Sequence, residues 1–174
     1  MSMEKVILVD ENDKEIGVEE KIKAHQEGKL HRAFSVFVFN SQGKMLLQKR
    51  AQNKYHSAGL WSNACDGHPR PDEEVEKAAH RRLKEEMGFD CELKKAFKFK
   101  YKAELENGLI EHEIDYVFLG IYEGEVKPNP EEAEVFEWVD LDFLLKDVSL
   151  CPEKYTFWFK AALPKVVEFY QKNF

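Results

Sequence analysis

The stretch from Gly67 to Phe89 limits what this chain can fold into more than any other part of it. Gly67 is followed by Glu73, and then Arg81, Arg82, Leu83, Glu85 and Glu86 lead to Gly88 and Phe89. Between these charges Val75, Ala78, Ala79, Leu83 and Met87 recur at three- and four-residue intervals, which predicts a helix with one buried stripe. Asp72 is its expected cap and Gly88 its stop. Glu85 and Glu86 then lie beside the helix end, where carboxylates can hold a divalent cation against a diphosphate.

Elsewhere the pattern predicts mostly strands, then mixed elements. Val6 to Val9 is a short strand with a turn over 10–14, Glu19 to Gln26 a helix ended by Gly28, and Ala33 to Phe39 a strand paired with Met45 to Gln48 in a hairpin. The segment 50–63 is polar and is expected as a long loop. Further strands are predicted over 91–102, 114–121 and 136–139, with a hairpin signal at Asn107 and Gly108. Asp140 or Asp142 caps a short helix, and 153–172 is a final helix that Pro164 kinks or breaks. The order predicts an α+β domain with a mixed central sheet covered on both faces, and residues 1–174 are expected to form a single domain.

Composition narrows the function classes. A formal net charge of −7 argues against a broad nucleic-acid surface, so basic residues must act locally. No apolar run approaches the roughly 18 residues of a membrane span, and the N-terminal segment lacks a long apolar leader. The expected location is the cytoplasm, with neither nucleic acid nor membrane as a partner; oligomeric state is left open. Cys65, Cys91 and Cys151 have no C-x-x-C spacing, which points to neither a disulfide framework nor a thiolate zinc site.

A second cluster lies outside the helix. His25 and His31 bracket a turn, His68 follows Gly67, and Glu111 and Glu113 share one face if their segment is extended. Three imidazoles and two carboxylates suit a borderline cation such as zinc, manganese or iron. Spacing alone does not bring the five together: a solitary histidine is usually a surface or satisfied core residue, and an E-x-E pair is usually a solvated strand face.

The first cluster resembles the Nudix box, G-x5-E-x7-R-E-U-x-E-E-x-G-U with U apolar, except that Arg82 stands where Nudix hydrolases carry Glu. Together with Lys21 and His25, the run Leu30 to Ser35, Gln48 to Ala51, Gly59 to Asn63, Gly67 to Pro69, Tyr101 to Ala103 and Glu111 with Glu113, the chain from about Val6 to Trp158 resembles type 1 isopentenyl-diphosphate isomerases. That family has the Nudix fold, an α/β/α sandwich, and carries Arg at the position of Arg82.

The resemblance implies an enzyme of isoprenoid biosynthesis that turns isopentenyl diphosphate into dimethylallyl diphosphate by protonation and deprotonation. It implies metal ligation by His25, His31, His68, Glu111 and Glu113, with Zn2+ or Mn2+ there, and Glu86 helping to hold Mg2+ on the substrate's diphosphate. Lys21, Arg50, Lys54 and Arg82 match the basic residues around that diphosphate. Trp158 matches an indole that shields a carbocation, although core filling is the ordinary role of a tryptophan. Glu113 matches one proton-transfer group and Tyr101 the tyrosine that supports it.

The other proton-transfer group is where the chain departs. The family has a cysteine where this chain has Asp66; Cys65 is one residue earlier and, in a strand, points to the opposite face. One reading is that Asp66 takes over the acid/base role. As an acid it would have to hold a proton near pH 7 rather than at about 3.9, a difference of roughly 4 kcal/mol; as a base it would need no such change. A second reading is that isomerisation is lost, leaving a diphosphate-binding module without turnover. A third is a deliberate replacement of the cysteine. Hydrolysis of a diphosphate is the rival activity, with Glu85, Glu86 and Asp66 as its carboxylates.

Overall fold

The computed structural model describes residues 3–174, centred on β3 (His31–Phe39). Nearly all of β3 is buried, as required of a strand with helices on both faces. It runs parallel to β8 (Ile110–Ile121) and antiparallel to β6 (Cys65–Gly67), so β6 and β8 feed side chains into the region that β3 crosses. β1 (Lys5–Val9) joins β2 (Glu15–Glu20) to β3, while β4 (Met45–Arg50) pairs with β5 (Trp61–Ser62) and β9 (Ala133–Val139). β7 (Leu93–Glu104) pairs antiparallel with β8, completing one mixed sheet of nine strands among the described residues.

Alternate residues of β3 serve opposite faces. Phe34, Val36 and Val38 pack with Ala78, Ala79, Leu83 and Met87 of α2 (Val75–Met87). Phe37 and Phe39 pack with Leu144 of α3 (Leu141–Leu150) and with Phe159, Leu163 and Val166 of α4 (Phe157–Asn173). The result is the expected α/β/α sandwich, in which each fully buried Leu, Val or Phe contributes about 1.5–3 kcal/mol. No helix among the described residues is long and apolar enough to cross a membrane.

Several boundaries differ from the sequence reading. Residues 15–20 form a strand, because Ile16 and Val18 alternate along an edge paired to β1; α1 (Lys21–Glu27) begins only after it. Asp72 does not cap α2. It sits in the left-handed region at φ 63°, and Glu74 occupies the cap position without a side-chain bond. Glu73 instead braces this end, accepting from the Arg70 N–H at 2.8 Å and from Arg81 Nε and Nη2 at 2.7 and 2.8 Å. Gly88 ends α2 at φ 75°, as expected.

The long loop contains the short strand β5, and the strand expected from residue 91 begins at Leu93. The final helix starts at Phe157, after a 3-10 turn over Pro152–Lys154, and Pro164 lies inside it without ending it. Asp140, not Asp142, caps α3, accepting from the N–H groups of Asp142 and Phe143. Asn107 and Gly108 both have positive φ, as their hairpin signal requires.

Asp13 ties β2's turn to the sheet. Its carboxylate accepts from Arg32 Nε and Lys98 Nζ, both at 3.0 Å, and from the Tyr116 hydroxyl. Burial raises its pKa, but these three donors outweigh burial and hold it below the usual carboxylate value. The resulting stabilisation is present above the unfolded value near pH 4 and is lost as pH falls through the lower folded value. Asp13→Asn, which tolerates the left-handed backbone of this position (φ 62°), should lower stability by about 1.5–3 kcal/mol at neutral pH. Urea melts of both proteins should converge toward acid pH; an unchanged difference at low pH would contradict this account.

Candidate active site

The register of β3 against β8 sets the site. His31 lies opposite Glu113, and the two-residue period places Glu111, Glu113 and Asp115 on one face of β8. Gly28, at φ 63°, ends α1 and turns the chain back so that His25 meets His31, with ring centroids 4.8 Å apart. His68, just beyond β6, brings its ring to 5.1 Å from His31 and 5.6 Å from His25.

The hydrogen bonds on the far sides of the His25 and His31 rings fix their protons. His25 Nδ1 is 2.7 Å from the Lys21 carbonyl and His31 Nδ1 is 2.8 Å from the Lys29 carbonyl; carbonyls only accept, so each Nδ1 donates. In the neutral ring, Nε2 is then a bare lone pair. His31 Nε2 and His68 Nε2 lie 3.2 and 3.0 Å from Glu113 Oε1, whereas buried His25 Nε2 has no hydrogen-bond partner and lies 3.7 Å from Glu111 Oε1. Lone pairs aimed at carboxylate oxygens repel unless a cation lies among them. Protonating all three rings instead would crowd like charges. The donor atoms of His25, His31, His68 and Glu113 all lie within 4.8 Å of one another, so these residues fit a divalent metal ion.

Burial works against ionised Glu111 and Glu113, yet the imidazoles around them hold both carboxyls below the ordinary range. Burial lowers His68, against Glu113; it also opposes the His25 cation, but Glu111 and the Lys21 carbonyl outweigh it and raise His25. Tyr101 lies 2.5 Å from Glu111 Oε2 and 2.7 Å from Glu113 Oε2. One hydroxyl proton cannot serve both oxygens, so this corner also calls for another proton or a cation.

These groups open on a cavity of about 140 Å³. Across it Arg82 Nη2 holds Glu86 Oε1 at 2.7 Å, while Gln48 Nε2 donates to Glu86 Oε2 at 2.8 Å. Burial raises Glu86 against the pull of Arg82. Lys54 pairs with Glu132 and Lys21 with Glu4, and all four line the cavity. Arg50 lies 5.2 Å over the Trp158 ring; Arg50 Nε is a buried donor without a partner, and the buried Trp158 Nε1 is turned toward the Asp66 carboxyl without a full hydrogen bond. Glu85 stays outside the cavity, paired with Arg82 and Arg81.

β6 separates Cys65 from Asp66 as the alternation requires. Cys65 is fully buried in the core beside α2, where burial pushes its thiol up, and Asp66 lines the cavity opposite Ser35. Asn63 Nδ2 donates to Asp66 Oδ1 at 2.8 Å and Ser62 Oγ to Oδ2 at 3.2 Å. Burial first, and then the Glu86 carboxylate, push Asp66 up to about 7 against the Asn63 bond and the field of Arg50.

Every residue expected to act in proton transfer, in binding the diphosphate or as a metal ligand of the isomerase site borders this cavity or the histidine cluster behind it, whereas Glu85 does not. Sequence reasoning missed His56 and Glu132. His56 is buried, with Nε2 3.1 Å from Glu111 Oε1. It sits in an irregular loop with no periodicity, so its only signal was being a further histidine between Lys54 and Trp61. Glu132 lies in an acidic run that reads as solvated surface.

Residues 29–159 match the NUDIX domain. The chain is 57% identical to isopentenyl-diphosphate Delta-isomerase 1 of Aromatoleum aromaticum, over 94% of this chain and 93% of that one. It is 46% identical to isopentenyl-diphosphate Delta-isomerase of Pectobacterium atrosepticum, over 98% of this chain and 96% of that one. Among solved structures it is similar in fold to DR0079 from Deinococcus radiodurans, with a TM-score of 0.71 at 20% identity, covering 85% of this chain and 90% of the other.

The bare Nε2 atoms carry an expectation for the metal-free chain. A divalent cation at a hundredfold excess over its Kd should stabilise it by about 2.7 kcal/mol, seen as a higher thermal midpoint that a chelator reverses. His25→Ala and His31→Ala should each shrink that rise. A midpoint indifferent to metal and chelator would remove the metal centre from consideration.

Proposed function

The chain belongs to the isopentenyl-diphosphate Delta-isomerase family of the Nudix superfamily, and from that membership we propose that it converts isopentenyl diphosphate to dimethylallyl diphosphate with Asp66 as one of its two proton-transfer groups. The observation that carries the role of Asp66 is its position: it faces the same cavity as Glu113 and Tyr101, from the strand on the other side of β3.

The reaction moves two protons and breaks no phosphate bond. A proton added to the terminal methylene carbon leaves a tertiary carbocation, and loss of a proton from the carbon beside the oxygen-bearing one re-forms the double bond. Glu113 handles one transfer with Tyr101 aligning its carboxyl, and Asp66 handles the other. Trp158 turns its π face to the cationic carbon and keeps water from it. The unpartnered Nε of Arg50 is available to substrate oxygens, and Lys21, Lys54 and Arg82 surround the diphosphate.

His25, His31, His68, Glu111 and Glu113 would hold Zn2+ or Mn2+, and Glu86 would help to hold Mg2+ carried by the diphosphate. A metal there would supply positive charge that steadies the two strand carboxylates. Hydrolysis is disfavoured because Arg82 occupies the position of a hydrolase's catalytic glutamate and pairs with both Glu85 and Glu86.

Isopentenyl diphosphate and Mg2+ in deuterated water, followed by proton NMR, should yield deuterated dimethylallyl diphosphate without release of phosphate. Asp66→Asn should lower kcat about 10²–10⁴-fold, whereas Asp66→Cys should keep substantial turnover. Phosphate release without isomerisation would favour the hydrolase, and turnover by Asp66→Asn at the parent rate would take Asp66 out of the chemistry.

A further inference from the structure

His56 is the fourth imidazole of the cluster. Its ring lies 6.0 Å from His25 and meets Trp158 edge-on at 5.7 Å, and its Nε2 converges with that of His25 on one oxygen, Glu111 Oε1. A group of His25, His56 and Glu111 has the spacing of metal ligands. The far side of the ring, however, sets His56 apart from His25 and His31.

Those two rings are backed by carbonyls, which force the proton onto Nδ1. His56 Nδ1 faces the Ser57 hydroxyl at 3.2 Å, and a hydroxyl can donate. If it does, the imidazole proton sits on Nε2, whose nearest carboxylate oxygen, Glu111 Oε1, lies 3.1 Å away and only accepts. The opposite tautomer would set a lone pair against that oxygen. Ser57 is fixed in this role: its backbone is left-handed at φ 51°, and its N–H donates to the Glu106 carboxylate. A serine kept in that conformation signals that its surroundings determine it closely.

We propose that His56 is a positioning residue of the metal centre, donating Nε2–H to Glu111 so that this carboxylate keeps its orientation toward the metal, and not a ligand itself. Its backbone carbonyl accepts from Arg50 Nη2 at 3.1 Å, so one short loop ties the grip on the diphosphate to the metal's carboxylate. The inference rests on the metal centre described above but not on the isomerase reaction, and its test reads metal binding alone.

Zn2+ affinity of the full chain would be measured by chelator competition for the parent, His56→Phe, which keeps an aromatic ring against Trp158, and His56→Gln, whose amide N–H reaches where Nε2–H does. His56→Phe should bind Zn2+ about 10–100-fold more weakly, the usual cost of losing a hydrogen bond to a ligating group, while His56→Gln should stay near the parent. Co2+ absorption bands should be the same in the parent and His56→Gln, because no ligand is lost. Ser57→Ala, which leaves every ring in place, should weaken binding in the same direction as His56→Phe and serves if the latter does not fold. Parent affinity in both His56→Phe and Ser57→Ala would overturn the proposal. Loss of affinity in His56→Gln with shifted Co2+ bands would also overturn it, identifying His56 as a ligand.

Discussion

The burial of Glu111 and Glu113 side by side on β8 is the constraint on which the rest of the site depends. Two carboxylates in a protein interior repel each other and have lost their hydration, a cost that a fold retains only with compensating charge nearby. The structure meets it from three directions: His31 by register across β3, His25 by the left-handed reversal at Gly28, and His68 by the strand that leaves β3's other side. Each compensating residue comes from a different part of the chain, so α1, β3 and the end of β6 must all be in place beside β8 for the carboxylates to be accommodated. The parallel pairing of β3 with β8 is central to this, since it sets His31 against Glu113, 82 positions away in the chain.

Much of this was legible because it rests on short-range periodicity. The stripe of α2 gave the helix, its burial and its glycine stop; the alternation of Glu111 and Glu113 gave a shared face; the alternation of Cys65 and Asp66 placed one in the core and the other in the cavity. What failed were assignments that tertiary structure decides. Asp72 has the chemistry of a cap, but the turn before α2 puts its backbone in the left-handed region, and the Glu73–Arg81 pair braces the helix start instead. Residues 19 and 20 favour a helix locally, yet β1 recruits them as an edge strand. Convergence of the histidines, and the presence of His56 among them, depend on loop paths that no spacing encodes.

Arg82 shows how one position can redirect an inherited frame. It holds Glu86 through Nη2 and reaches Glu85 through Nη1, so two acids that stand close on the same helix are bridged by one guanidinium. A glutamate at 82 would add a third acid to that face. The bridged arrangement leaves Glu86 buried and facing the cavity while Glu85 is drawn outward. The helix thereby presents one carboxylate and one cation, which suits holding a diphosphate in place better than cleaving it.

Charge balance within the cavity leads to the same place. Glu4, Asp66, Glu86, Glu111, Glu113 and Glu132 line it, against Lys21, Arg50, Lys54 and Arg82. Asp66 adds a negative group where the family's cysteine would be neutral, and burial beside Glu86 is what pushes it toward the protonated form. A diphosphate entering this surplus of carboxylates would be repelled unless cations came with it or were already there. Two devices answer that need: imidazole lone pairs turned inward by backbone carbonyls, and a buried donor, Arg50 Nε, with no partner inside the protein. The first would let the chain's own carboxylates gather around a metal, and the second would leave an N–H for the oxygens of an entering diphosphate. With its pKa pushed up to about 7, Asp66 is partly protonated near neutral pH and adds less to that repulsion than an ordinary carboxylate would.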